Sequence, residues 1–311
     1  MNHFTNLGEI PYNDLRKILN DSKKRKNKRR NLGSLDFDKD LPLKGKLLIQ
    51  MFEKSSLRTR LSFYLAMRQL GGGVHNLRKD ELHLGQGGET IKDTAKIISI
   101  HGDIFMLRTD SEKKLKEFKD NLSIPLINGL SPESHPAQVL SDIFTIEEIK
   151  KKKISSLNIC WIGDANNVLN SLIEASIKFS FKLRIASPEK NYPKKKIIKL
   201  IKSNKKLISI FTDPKKAILN ADVVMTDKFV SLNDKVNAKK KKQNFKGFQV
   251  NKVLIKKAKK DFIFLHCLPA NRGEEVAKEI IDGINSVVWQ QAENRFHVQK
   301  SILLYCIKKL R

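Results

Sequence analysis

Short apolar runs rich in Val, Ile, Leu and Phe alternate along the chain with longer stretches whose apolar residues recur at helical spacing. The first pattern predicts strands and the second amphipathic helices, and their alternation predicts an α/β protein with largely parallel sheets flanked by helices. Strands are expected at 46–52, 73–77, 104–108 and 124–128, and in the second half at 157–162, 183–186, 207–211, 222–225, 262–266 and 286–289. Between the two sets lies a helical stretch at 136–149 that ends in the run Lys150 to Lys153, the expected link between two domains. The tail, 294–310, carries Phe296, Val298, Ile302, Leu303 and Ile307 at helical spacing and is expected to pack back on the first domain. The expected domains are therefore 1–149 plus 292–311, and 150–291.

Polar clusters repeatedly follow the expected strands: Glu53 to Thr59, Arg108, Gly163 to Asn167, Asp227, His266 to Pro269 and Glu293 to Arg295. Open α/β sheets bind ligands outside the carboxyl ends of their strands. Six clusters so placed predict one site in a crevice between the domains.

Composition narrows the class. With 40% hydrophobic residues, 15 Gly and 9 Pro in 311 residues, the chain is neither disordered nor collagen-like. Lys+Arg less Asp+Glu is 61 − 33 = +28, which invites a nucleic-acid reading. The lysines, however, are scattered in short runs without interleaved aromatics, and no zinc-finger, RRM or KH signature is present. A solvated basic surface, able to attract a small anionic substrate, accounts for them, and no specific nucleic-acid partner is expected. No apolar run reaches the roughly 18 residues of a membrane span, and the N-terminus lacks a secretory pattern. Cys160, Cys267 and Cys306 have no CxxC spacing, against a disulfide framework or zinc site. A cytoplasmic protein without membrane contact is expected.

Three clusters carry chemistry. Ser55-Ser56-Leu57-Arg58-Thr59-Arg60 reads as a strand end, a serine N-cap and the first turn of a helix that stops at Gly71. Free backbone N–H groups, hydroxyls and a guanidinium there suit a phosphate dianion, although an ordinary capped helix with surface arginines has the same pattern. Gly163-Asp164-Ala165-Asn166-Asn167 lacks the glycines of a dinucleotide loop. His135 and Gln138 lie three apart on one helical face and can both donate to a carbonyl oxygen. Cys267 stands at a strand end before Leu268-Pro269, where a thiol is either inert core or a reacting group.

FEKSSLRTR, the MLRT around Arg108, NGLSPESHPAQ, WIGDANNVLNS, HCLP and AENR stand in the order and spacing of the aspartate/ornithine carbamoyltransferase family. From about Leu47 onward the chain resembles the ornithine branch, because the aspartate branch has HPLP where Cys267 stands. The resemblance implies a carbamoyl-phosphate domain followed by an ornithine domain, and a homotrimer with active sites at its subunit interfaces. It implies carbamoyl phosphate and L-ornithine as substrates, with no cofactor and no metal. Residue by residue, it assigns Ser56, Leu57 (through its backbone), Arg58, Thr59, Arg108, His135, Gln138, Cys267, Leu268 and Arg295 to carbamoyl phosphate. His83 joins them by reaching into a neighbouring subunit's site. Asn167, Asp227, Ser231 and Leu232 are assigned to ornithine, and Cys267, Arg58, Arg108 and His135 to catalysis. The Leu268–Pro269 peptide is expected to be cis. Two positions depart from the family pattern: STRTR reads SLRTR, and SMG reads Ser231-Leu232-Asn233. Because SLRTR also occurs in carbamoyltransferases of N-acylated ornithine, that acceptor, or putrescine, is the alternative. A basic nucleic-acid-binding protein on the same fold is the alternative of another class.

Overall fold

The most apolar runs of the chain are its central strands. The computed structural model describes residues 1–78, 88–230 and 238–310, and the chain divides into two units, Met1–Ser141 with Glu293–Arg311, and Asp142–Ala292. Unit one holds β1 (Leu47–Phe52), β2 (Gly73–Arg78), β3 (Ile104–Arg108) and β4 (Leu126–Leu130), all parallel, in the order β2-β1-β3-β4. Its helices are α1 (Tyr12–Lys28), α2 (Leu57–Gln69), α3 (Ile91–His101), α4 (Glu112–Asn121) and the first turns of α5 (Pro136–Lys150). Unit two holds β5 (Asn158–Ile162), β6 (Lys182–Ala186), β7 (Ile208–Phe211), β8 (Val223–Thr226) and β9 (Ile263–His266), parallel in the order β7-β6-β5-β8-β9. Its helices are α6 (Asn167–Phe179), α7 (Lys195–Ser203), α8 (Pro214–Ala217), α9 (Ala238–Asn244), α10 (Lys252–Ile255) and α11 (Lys278–Ile281). The last helix, α12 (Val288–Cys306), belongs to unit one from Glu293 onward.

Strand burial follows position in the sheet. Central β1 and β3 are buried almost throughout, as parallel strands covered on both faces must be, whereas edge strand β2 is half exposed. In unit one Met51, Phe105 and Leu107 pack against Ala95 and Ile98 of α3 and Leu115 and Phe118 of α4. The Phe105 and Phe118 rings lie 5.2 Å apart.

Both sheets have a switch point. In unit one the chain leaves β1 for one side of the sheet and returns on the other as β3; in unit two it does the same between β5 and β8. Loops leaving neighbouring strands on the two sides of such a point diverge, and the gap between them is where open sheets bind ligands. The segments after β1 and β3, and those after β5 and β8, are the ones that carry the polar clusters.

Two expectations about elements change. No strand forms at 286–289: only Ser286 bridges to Phe264, with Val287 N–H donating to the Phe264 carbonyl at 3.0 Å, and Val288 already begins α12. The β-branched pair Val287-Val288 imitates a strand locally, but the helix that follows takes over after one ladder contact. The fourth strand runs Leu126–Leu130 rather than 124–128, because Pro125 has no N–H for the ladder and contributes only its carbonyl, to Phe105 N–H at 2.9 Å. The basic segment 238–248 makes packing and ionic contacts within unit two. Phe245 and Phe248 are buried, Phe245 stacks on Phe229 at 4.4 Å, and Lys241 pairs with Asp164 at 2.6 Å. Residues 231–237 lie outside the described residues.

The tail does return to unit one, through polar contacts as much as apolar ones. Lys26 of α1 donates to Asn294 at 2.7 Å, Ser22 to Ser301 at 3.0 Å, and Ser301 to Asp21 at 2.7 Å. Asp38 accepts from Lys300 at 2.7 Å, Arg29 at 2.8 Å and Arg25 at 3.2 Å. Beside this network sits buried His297, whose pKa falls from 6.5 to about 3 through burial and the positive charges of Lys26, Lys300 and Arg29. The unfolded chain therefore takes up this proton near pH 6.5 and the folded chain does not. The stability that results is complete above pH 6.5 and is lost as pH falls toward 3. Urea titrations of His297→Gln and the parent are expected to show the variant's relative stability improving as pH drops from about 7 to about 4; a constant difference would contradict the assignment.

Among the described residues, no helix is long and apolar enough to cross a membrane.

Candidate active site

In unit one the first turn of α2 follows directly from the loop after β1. Ser56 occupies the N-cap position in extended conformation without making a side-chain capping bond, and Leu57 is 70% exposed. Thr59 is buried, and its hydroxyl accepts from Arg295 Nη2 at 2.8 Å. Arg295, also buried, donates through Nη1 to Gln138 Oε1, so α2, α5 and α12 meet on one guanidinium. Buried His135 stands beside them. Burial, then the charges of Arg295, Arg108 and Arg58, hold its pKa well below the usual histidine value. The imidazole is neutral at physiological pH and keeps one N–H to donate.

Glu53, the first residue of the polar cluster after β1, ties this loop to the next strand. Its N–H donates to the Arg108 carbonyl at 3.0 Å, while its carboxylate accepts from the Thr109 hydroxyl and from Lys114. The segments after β1 and β3 are thereby held together. Ser56, Leu57, Arg58, Thr59, Arg108, His135, Gln138 and Arg295 are all residues of unit one. Three guanidinium groups, a neutral imidazole and a helix N-terminus make a receptor for a small dianion that also carries a carbonyl oxygen.

In unit two the corresponding cluster forms at the ends of β5, β8 and β9. Gly163 closes β5 with φ of +140°, and a Cβ there would lie 3.3 Å from the Thr226 hydroxyl, so the tight passage to Asn166 needs glycine. Asn166 is the N-cap of α6: its Oδ1 accepts from Val168 N–H at 3.0 Å and Leu169 N–H at 3.1 Å. Its Nδ2 donates to Asp227 Oδ2 at 2.7 Å. Asp227 Oδ1 accepts from Lys228 N–H at 2.8 Å and from the Cys267 thiol at 3.2 Å. Asn167, the residue singled out from the sequence, is the first residue of α6. His83, Ser231 and Leu232 lie outside the described residues.

Of the three free cysteines only Cys267 is partly exposed. Burial pushes the Cys160 and Cys306 thiols upward, as in inert core cysteines. Cys267 is followed by Leu268 at φ +57° and by a cis Leu268–Pro269 peptide, the isomer expected from the sequence. Behind this turn, His266 Nδ1 accepts the Leu268 N–H at 2.9 Å, which places the ring proton on Nε2, facing Glu275 Oε1 at 3.2 Å. Asp227, His266 and Cys267 offer donor atoms within 4.8 Å of one another, the spacing of a metal site. Both His266 nitrogens are already engaged, so the trio lacks an imidazole lone pair for a metal.

Comparison with known proteins gives the family of the chain. Residues 2–148 match the family model for the aspartate/ornithine carbamoyltransferase carbamoyl-P binding domain, and residues 155–306 match that for its Asp/Orn binding domain. The chain belongs to the aspartate/ornithine carbamoyltransferase family. An ornithine carbamoyltransferase of Rhodopseudomonas palustris is 45% identical over 98% of this chain and 96% of its own. The solved ornithine carbamoyltransferase of Pyrococcus furiosus superposes with a TM-score of 0.91 at 39% identity, covering 98% of this chain and 97% of its own. The anabolic enzyme of Campylobacter jejuni gives 0.88 at 34% identity, covering 99% and 100%. As a carbamoyltransferase-family chain, this one is a transferase, and its SLRTR departure can be located: the Leu57 side chain is exposed, while Arg58 is half-buried and Thr59 buried.

Proposed function

We propose that the chain transfers the carbamoyl group of carbamoyl phosphate to the δ-amine of L-ornithine, releasing L-citrulline and phosphate. The observation that carries this reading is the Cys267 thiol held against Asp227 at 3.2 Å at the ends of neighbouring strands. The acceptor must attack as a neutral amine: the Cys267 thiol passes its proton to the Asp227 carboxylate to which it already donates, and the sulfur takes the proton of the δ-ammonium in turn. Asn167, Ser231 and Leu232 are assigned to the rest of ornithine, with Asp227 facing its ammonium. An acylated α-nitrogen would bring no charge to Asp227, which speaks against N-acylated ornithine.

Carbamoyl phosphate is assigned to Ser56, the Leu57 backbone, Arg58, Thr59, Arg108, His135, Gln138 and Arg295, with Cys267 and Leu268 completing its surroundings. Attack on the carbonyl carbon forms the C–N bond and moves charge to the carbonyl oxygen. Arg58, Thr59, Arg108 and neutral His135 donate to that oxyanion, and each such donor contributes on the order of 3 kcal/mol. Collapse breaks the C–O bond to phosphate, which departs with the electron pair under the serine and arginine donors.

Citrulline formation from carbamoyl phosphate and ornithine, measured beside N-acetylornithine, putrescine and aspartate, tests the reading. Citrulline from free ornithine alone supports it, and a faster reaction with another acceptor overturns it. We further place the enzyme in the cytoplasm as a homotrimer in which His83 completes a neighbour's site. His83→Ala and Cys267→Ala chains should then be nearly inactive alone, yet recover about a quarter of intact sites when mixed equally and reassembled. Confirmed hybrids without recovery would overturn the shared site.

A further inference from the structure

We infer that Asn166, rather than serving only as a helix cap, is the positioning residue that sets the Asp227 carboxylate against the Cys267 thiol. The inference rests on the ornithine reading of this cluster. The Asn166 amide has one arrangement compatible with its surroundings. Its oxygen must face the Val168 and Leu169 N–H groups, because an NH₂ there would oppose two donors. Its nitrogen is thereby aimed at Asp227 Oδ2, 2.7 Å away. The Asp227 carboxylate is pinned at both ends: Oδ2 by Asn166, Oδ1 by Lys228 N–H at 2.8 Å. In that rotation Oδ1 also meets the Cys267 thiol at 3.2 Å. The rigid element behind this chain of contacts is α6, a 13-residue helix with a buried face of Val168, Leu169, Leu172 and Ile173.

A cap and a positioning residue differ in which end of the amide they use, so substitutions separate the two roles. Asn166→Ser keeps an oxygen for the helix N–H groups and loses the donor to Asp227. Asn166→Asp also caps, but sets a second carboxylate against the first. Asn166→Ala loses both functions. For the serine variant we expect a melting temperature close to the parent's, an ornithine KM raised about tenfold or more and a lowered kcat, with the carbamoyl-phosphate KM within about twofold. The aspartate variant should be worse toward ornithine than serine despite its intact cap, and alanine should also lower the melting temperature.

A second readout does not depend on turnover. Alkylation of Cys267 by iodoacetamide, followed by peptide mass spectrometry with buried Cys160 and Cys306 as internal references, should be several-fold faster in the serine variant. A carboxylate free to rotate away removes a like charge from where the thiolate forms. Parent-like ornithine kinetics together with a parent-like alkylation rate in Asn166→Ser would overturn the inference and leave Asn166 a cap. If the parent itself makes no citrulline, the ornithine reading fails, while the alkylation arm still decides whether Asn166 controls the Asp227–Cys267 contact.

Discussion

Replacing Cys267 with alanine is expected to lower kcat roughly 10²–10³-fold, the usual contribution of a positioned proton acceptor, with little change in carbamoyl-phosphate affinity. The asymmetry follows from where the groups sit. Cys267 Sγ contacts Asp227 in unit two, whereas the guanidinium cluster around His135 is built within unit one by Arg58, Arg108 and Arg295. Alanine removes the thiol but leaves the backbone of Cys267 and Leu268 in place, and Asp227 keeps its bonds from Asn166 and Lys228. Steady-state kinetics with each substrate varied in turn separates the outcomes. An unchanged kcat at saturating ornithine would remove the thiol from the reaction. A large rise in carbamoyl-phosphate KM would assign it to the other substrate.

The largest loss of stability is expected from Asp38→Asn. Asp38 is 7% exposed and is shared by Lys300, which is fully buried, by Arg29 and by Arg25. Burial already pulls the Lys300 pKa down from 10.5 to about 8 against the opposing pull of Asp38, so this ammonium depends on its carboxylate. Removing the anion strands buried cations, at a cost of about 3–5 kcal/mol. For a unit of this size that lowers the melting temperature by roughly 10 °C. Lys300→Met should cost less, because Asp38 then retains both arginines and the removed charge was the one most completely desolvated. Urea and thermal unfolding of the two variants check the order; equal losses would mean that the network acts as packing rather than as paired charge.

Element identity was legible where local pattern and burial agree. The apolar runs at 46–52 and 104–108 are central strands, and the periodic tail from Phe296 packs on unit one. Local pattern failed where a distant partner decides. Val287-Val288 has strand-like side chains, but only one ladder contact to Phe264 is available before α12 begins. The lysine run 239–242 looks like a solvated loop, yet Phe229 and Asp164, distant in sequence, hold the helix that contains it. The candidate site residues were legible because guanidinium, imidazole and thiol groups stand in motifs of fixed local spacing. Their supports were not. Asn166 and Asn167 are indistinguishable in a sequence that offers both; only the cap geometry of α6 decides which amide meets Asp227. Glu53 is one polar residue among several after β1 until β3 lies beside it.

By itself, the sequence determined the α/β class, the approximate strands and helices, and which polar residues are candidates for a site. Those properties depend on side-chain type and on neighbours a few positions away. The tertiary structure decided the strand orders β2-β1-β3-β4 and β7-β6-β5-β8-β9. Strand order is a choice among pairings tens of residues apart, with similar backbone hydrogen bonds available to each, and it is selected by how the helices cover both faces. That choice sets β1 beside β3, and β8 between β5 and β9, and so turns separate polar loops into clusters in contact.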